Sequence, residues 1–175
     1  MLSAMIRPFT LLAAALVFCA AGAAQAQKPK MLLKGAEIWG AFSVKEKGGL
    51  ACYMAGQPLA TAPKGVKRDP IWLLVTHRPH KKIRNEVSVY AGYPFKPRAA
   101  VTIDVDGKTF ELYTVDDTAW VEDPKTEAAI VKAMRAGRKM VVRGLSKRGT
   151  KTTDTYSLKG FTKAHQAINK ACKVK

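Results

Sequence analysis

The residues best equipped for chemistry are three histidines, three cysteines and a cluster of carboxylates. His77 and His80 are three apart, a spacing that could clip a divalent metal. Arg78, Lys81, Lys82 and Arg84 surround them, however, and no carboxylate follows until Glu86. Cations repel a metal ion and the ligand set is incomplete, so the two are expected to be surface histidines of a basic loop. No Gly-x-Ser-x-Gly elbow or Gly-rich phosphate loop is present. Eight of the carboxylates fall between Asp104 and Glu127. A glycosidase would need two of them across one cleft, and Asp106 and Asp123 already have turn and cap roles. The chain therefore reads as a non-enzyme without cofactor or metal.

These side chains are placed by an exported domain. Arg7 opens a short positive region, an apolar run follows from Phe9 to Ala24, and Ala24-Gln25-Ala26 supplies small residues for cleavage. Residues 1–26 are expected to be a cleaved secretory signal, leaving a single domain over residues 27–175. The apolar run is shorter than the roughly 20 residues a membrane span needs. Phe18 before Cys19 departs from a lipobox. With no second long apolar stretch, the mature chain is expected in the periplasm, or secreted and surface-associated. Loss of Cys19 leaves Cys52 and Cys172, an even pair in an oxidising compartment, and a disulfide is favoured. A reactive thiol or a metal site has no neighbouring His or second Cys to support it.

The rest looks mainly like strands. Glu37–Val44 and Leu50–Met54 are short apolar stretches around Gly48-Gly49. Gln57–Pro70 reads as a loop, and Ile71–Thr76 and Glu86–Tyr90 as strands. Val101–Val105 and Lys108–Tyr113 flank Asp106-Gly107, the turn pair of a two-residue hairpin. Asp123-Pro124 opens a helix whose apolar face uses Ala128, Ile130, Val131 and Met134, with Gly137 after its end as a C′ residue. Lys139–Gly144 and Thr152–Leu158 pair as strands. A second helix covers about Thr162–Cys172, with Phe161, Ala164, Ile168 and Cys172 at helical spacing. Many short strands with two short helices predict a mainly β fold, a β-sandwich.

Charge carries the functional signal. Lys and Arg number 30 against 13 Asp and Glu, a net +17. Partners are therefore expected to be anionic. Basic runs at 64–68, 78–84 and 138–151 fall in turns and strand ends. His80-Lys81-Lys82-Ile83-Arg84-Asn85 has the spacing associated with acidic-glycan binding, and Lys147-Arg148-Gly149-Thr150-Lys151 projects cations from a tight turn. Lys81, Lys82, Arg84, Lys147, Arg148 and Lys151 are the candidate anion-binding residues. Lipopolysaccharide or an acidic glycan, on the envelope or a host surface, is the expected partner class, with an envelope protein as the alternative. An extracytoplasmic address makes nucleic acid an unexpected physiological partner. The acidic stretch 104–127 lies between two basic segments, so part of the basic surface is expected to answer it.

The order and spacing of several blocks resemble the invasion-associated locus B proteins of alphaproteobacteria. The resemblance rests on Trp39, Cys52, Asn85-Glu86-Val87-Ser88-Val89, Gly92-Tyr93-Pro94, Asp106-Gly107 with Phe110, Ala119-Trp120 and Ala133-Met134-Arg135-Ala136-Gly137. Its strongest block runs from Gly144 to Phe161 through Arg148-Gly149-Thr150 and Asp154-Thr155-Tyr156-Ser157-Leu158, and it ends at Cys172. It implies an exported, non-enzymatic domain with an immunoglobulin-like β-sandwich and a part in host-cell interaction. His165 departs from the apolar residue expected on the last helix.

Overall fold

The computed structural model describes residues 27–33 and 38–174, so the leader expected at 1–26 lies outside it. The strands are β1 (Lys30–Met31), β2 (Trp39–Glu46), β3 (Gly49–Gly56), β4 (Ala60–Ala62), β5 (Trp72–Arg78) and β6 (Ile83–Tyr90). They continue with β7 (Val101–Val105), β8 (Lys108–Val115), β9 (Thr118–Trp120), β10 (Lys139–Leu145) and β11 (Lys151–Ser157). Helix α1 (Pro124–Ala136) follows β9, and α2 (Phe161–Cys172) follows β11.

Local chemistry sets several boundaries. Asp106 and Gly107 take φ of +47° and +93°, the positive values a tight turn requires, and Val105 pairs directly with Lys108. The Asp123 carboxylate accepts from the amides of Lys125 and Thr126, and Pro124 occupies the first turn of α1. The buried face of α1 is Glu127, Ile130, Val131 and Met134, a clean helical repeat. Ala128, expected on that face, is exposed instead. Gly137 is not in the left-handed conformation expected of a C′ glycine; its φ is −83°. A Cβ there would lie 2.8 Å from Val105 Cγ1, so close packing against β7 is what excludes a side chain.

All strands pair antiparallel in the order β1-β2-β3-β5-β6-β9-β8-β7-β10-β11-β4. Strand β8 belongs to both halves: Tyr113–Val115 pair with β9, while Lys108–Leu112 pair with β7. The sheet folds over at β8 into two layers, the sandwich-like arrangement expected, with the layers joined through a shared strand. Trp39, Met54, Leu73, Val75, Val87 and Val89 from one layer are buried with Val101, Ile103, Met140, Val142 and Tyr156 from the other. Helix α1 lies on β6 and β8, and α2 on β2, β3 and β5. The Trp39 indole is fully buried; it donates to the Ser157 carbonyl at 2.9 Å and meets Phe161 edge-on.

The Gln57–Pro70 stretch is not wholly loop. Ala60–Ala62 form β4 and pair with Thr153–Thr155 of β11, and Arg68 turns inward from the same stretch. Its guanidinium makes two 2.7 Å contacts with the Asp154 carboxylate and donates twice to the Ala91 carbonyl.

Candidate functional site

Helix α2 is fastened to the first layer in two ways. Cys172, its last residue, is disulfide-bonded to Cys52 of β3, with Cα atoms 5.9 Å apart and a sequence separation of 120. One and two turns inward, Asn169 and His165 meet His77 of β5 and Asn85 of β6. The pairing of β5 with β6 shifts register between Thr76 and Arg78, and His77 is fully buried there. A bulge re-aims a side chain in this way. His77 is thus a core residue and not the surface histidine expected. His80 is separated from it, against the Gly48-Gly49 turn, where a Cβ on Gly49 would come within 3.0 Å of the His80 ring. Among the described residues, no three His, Cys, Asp or Glu side chains converge as a metal-ligand set.

Hydrogen bonding among these four residues closes into a ring, and its directions are forced. The Asn85 backbone N–H donates to His77 Nδ1 at 3.0 Å, so the His77 proton sits on Nε2 and is donated to Asn169 Oδ1 at 2.7 Å. Asn169 Nδ2 then faces His165 Nδ1 at 3.4 Å, and His165 Nε2 donates to Asn85 Oδ1 at 2.9 Å. Both imidazoles are neutral in this arrangement. Burial lowers the His77 pKa, against the Asn169 hydrogen bond and with the Arg84 charge. Burial pushes His165 down to about 4, with His77 and Arg135 adding repulsion.

The six candidate cations are all exposed, in two separated groups. Lys81 and Lys82 end a short 3-10 turn, and Arg84 stands at the start of β6. Lys147 and Arg148 occupy the turn between β10 and β11, and Lys151 begins β11. That turn docks beyond the other end of β6, through Lys147 N–H to the Pro94 carbonyl and the Phe95–Ser146 bridge. The six residues of β6 from Asn85 to Tyr90 lie between the groups, roughly 20 Å of extended chain. Other cations are consumed internally: Arg68 by Asp154, Arg78 by Glu46 and Glu86, and Arg143 by Asp104. The acidic hairpin engages Arg143 through Asp104, while Asp106 accepts from the backbone amides of Arg138 and Lys139.

Sequence reasoning missed a furrow on the outer face of the first layer. Its floor is the cross-strand row Gly40, Ala55, Leu74. Phe42 and Tyr53, stacked with centroids 5.3 Å apart, bound one side, and the paired Trp72 and Tyr90 bound the other. With Met31 and Leu59 at its margins it encloses about 870 Å³. The alternation of β2, β3 and β5 held the signal, since both sets of alternate residues are apolar.

A family model described as "Invasion associated locus B (IalB) protein" matches residues 39–169. The chain belongs to that family. No curated protein matches it. Among solved structures, invasion associated protein B from Bartonella henselae shares the fold, with a TM-score of 0.56, 15% identity, and coverage of 80% of this chain and 97% of that one. The match to the IalB family spans Trp39, the ring residues and Arg68–Asp154, stopping short of Cys172. No helix among the described residues is long and apolar enough to cross a membrane.

Proposed function

We propose that this IalB-family chain is an exported, non-enzymatic binding protein that docks anionic envelope or host components, lipopolysaccharide or acidic glycan, through its exposed basic segments. The observation that carries the reading is the sorting of cations. Arginines that face carboxylates are held in ion pairs, while Lys81, Lys82, Lys147, Arg148 and Lys151 stand exposed in no ion pair among the described residues. Four groups that could act as base or nucleophile have structural duties: His77 and His165 in the hydrogen-bonded ring, Cys52 and Cys172 in the disulfide. The disulfide also fits an oxidising, extracytoplasmic location.

Exposed charges act through screened attraction, so affinity should fall steeply with ionic strength. The test is retention on immobilised heparin and lipopolysaccharide across a salt series, for wild type, Lys81→Glu/Lys82→Glu and Lys147→Glu/Arg148→Glu. Each double variant should elute at lower salt. Salt-insensitive binding, or retention unchanged in both variants, overturns the reading.

The furrow favours a second reading, a structural or chaperone-like module that binds envelope proteins. Strand edges are poor candidates for such binding, because β1 and β4, the outermost strands, have two and three residues. Capture of envelope proteins that survives high salt and is abolished by Leu74→Lys would favour this reading over the first.

A further inference from the structure

We propose that His77, Asn85, His165 and Asn169 form an acid-sensitive clasp that holds α2 against the sheet and releases it when the imidazoles are protonated, with the Cys52–Cys172 disulfide keeping the freed helix tethered. The argument is one of donors and acceptors. The ring admits a single assignment, because the Asn85 backbone N–H can only donate. A proton added to His77 Nδ1 would set N–H against N–H at Asn85. A proton added to His165 Nδ1 would face the Asn169 amide nitrogen in the same way. Rotating the Asn169 amide relieves His165 but turns its NH₂ toward the protonated Nε2 of His77. Either protonation therefore reaches both histidines, and the two sites titrate as a coupled pair.

The surroundings supply no compensation. His77 faces His165 with ring centroids 5.7 Å apart, Arg84 acts on His77 from β6, and Arg135 acts on His165 from α1. No carboxylate is among the charged groups that shift either ring, and β2 and β3 present Trp39, Ala41, Cys52 and Met54 to this interior. Both pKa values are lowered in the closed state, whereas a solvated imidazole titrates near 6.5. Opening hence takes up protons, and acid favours it. The tether sits at the C-terminal end of α2, while the N-terminal end is held by Phe161 packed on Trp39 and by the Thr162 hydroxyl on the Arg135 carbonyl, contacts that opening must break.

The experiment is native-state hydrogen exchange on the oxidised mature protein between pH 7 and 4.5, corrected for intrinsic rates. The opening constant of α2 amides should rise below pH 6 with a slope approaching about 100-fold per pH unit, the signature of two protons. His165→Gln should reduce the slope to about 10-fold per unit, and His77→Gln/His165→Gln should flatten it. Amides of β10 and β11 should stay protected where α2 opens. Loss of α2 and β10–β11 protection in parallel, or a wild-type slope in the double variant, overturns the proposal. Imidazole ¹⁵N spectra of the unsubstituted protein decide the matter should the variants fail to fold. Both rings should show the Nε2–H tautomer and protonate with a common midpoint as α2 opens. Separate titrations with α2 still protected overturn it.

Discussion

Arg68 and Asp154, 86 residues apart in sequence, meet as a two-pronged ion pair inside the protein, with 7% and 3% of their side chains exposed. The Tyr93 ring lies against the guanidinium at 4.8 Å, and the Tyr93 hydroxyl contacts Thr152 Oγ1. The pair thereby fastens the stretch after β4 and the stretch after β6 onto β11. Removing one partner leaves the other charged and unpaired in the interior. Arg68→Met or Asp154→Asn should each cost about 3–5 kcal/mol in urea denaturation. The double variant Arg68→Met/Asp154→Leu should cost less than the sum of the two.

The disulfide closes a loop across a sequence separation of 120. In the chain-entropy model, cross-linking a loop of that length stabilises by about 4–5 kcal/mol, less any native strain. Reduction, or Cys172→Ser, should lower the urea midpoint accordingly. Peptide mapping without reductant should recover Cys52 and Cys172 in one linked species; two alkylatable thiols in the exported protein would contradict the pairing.

Glu127 gives pH dependence of opposite sign to the histidine ring. Burial against β6 raises its pKa to about 7, the Val87 amide opposes this, and Glu86 and Asp123 add to it. With the folded pKa above the unfolded one, its contribution is fully present below about pH 4.5 and lost as pH rises through 7. Glu127→Gln should therefore stabilise at pH 8.5 by about 1 kcal/mol and differ little from wild type at pH 5. Thermal melts of both proteins at the two pH values check this.

Gly92 has φ +72°, and a Cβ there would fall 2.1 Å from the Asp69 carbonyl oxygen. Backbone on both sides of the contact cannot yield as a side-chain tip would. Gly92→Ala should cost more than about 3 kcal/mol and detach the stretch carrying Arg68. A near-wild-type melting temperature would show that the two segments are not in register as described.

What was legible in the sequence is what neighbours in the chain decide. Asp106-Gly107 and Asp123-Pro124 carry their turn and cap chemistry locally, and both appear where expected. Cys52 and Cys172, the two cysteines outside the expected leader, had only each other as partners. His77, Arg68 and β4 were misread because their environments come from far along the chain. His77 turns inward because a register shift and Asn169, 92 residues away, receive it. Arg68 lay within a basic run, and only Asp154 makes burial tolerable. Ala60–Ala62 sit among prolines and glycines and become a strand only because β11 offers an edge. The furrow was hidden for a related reason: apolar residues on both faces of a strand look like core until the topology shows one face uncovered.

Linking Cys52 to Cys172 also makes most of the chain a closed circle. The exposed residues 64–67, with Lys64 and Lys67, present the kind of site a trypsin-like protease cuts. A single cut there would open the circle without dividing the molecule, because both pieces remain joined through sulfur. Nicked protein should run as one species on a non-reducing gel and as two fragments after reduction. A broken peptide bond in this loop would then not mean a lost domain.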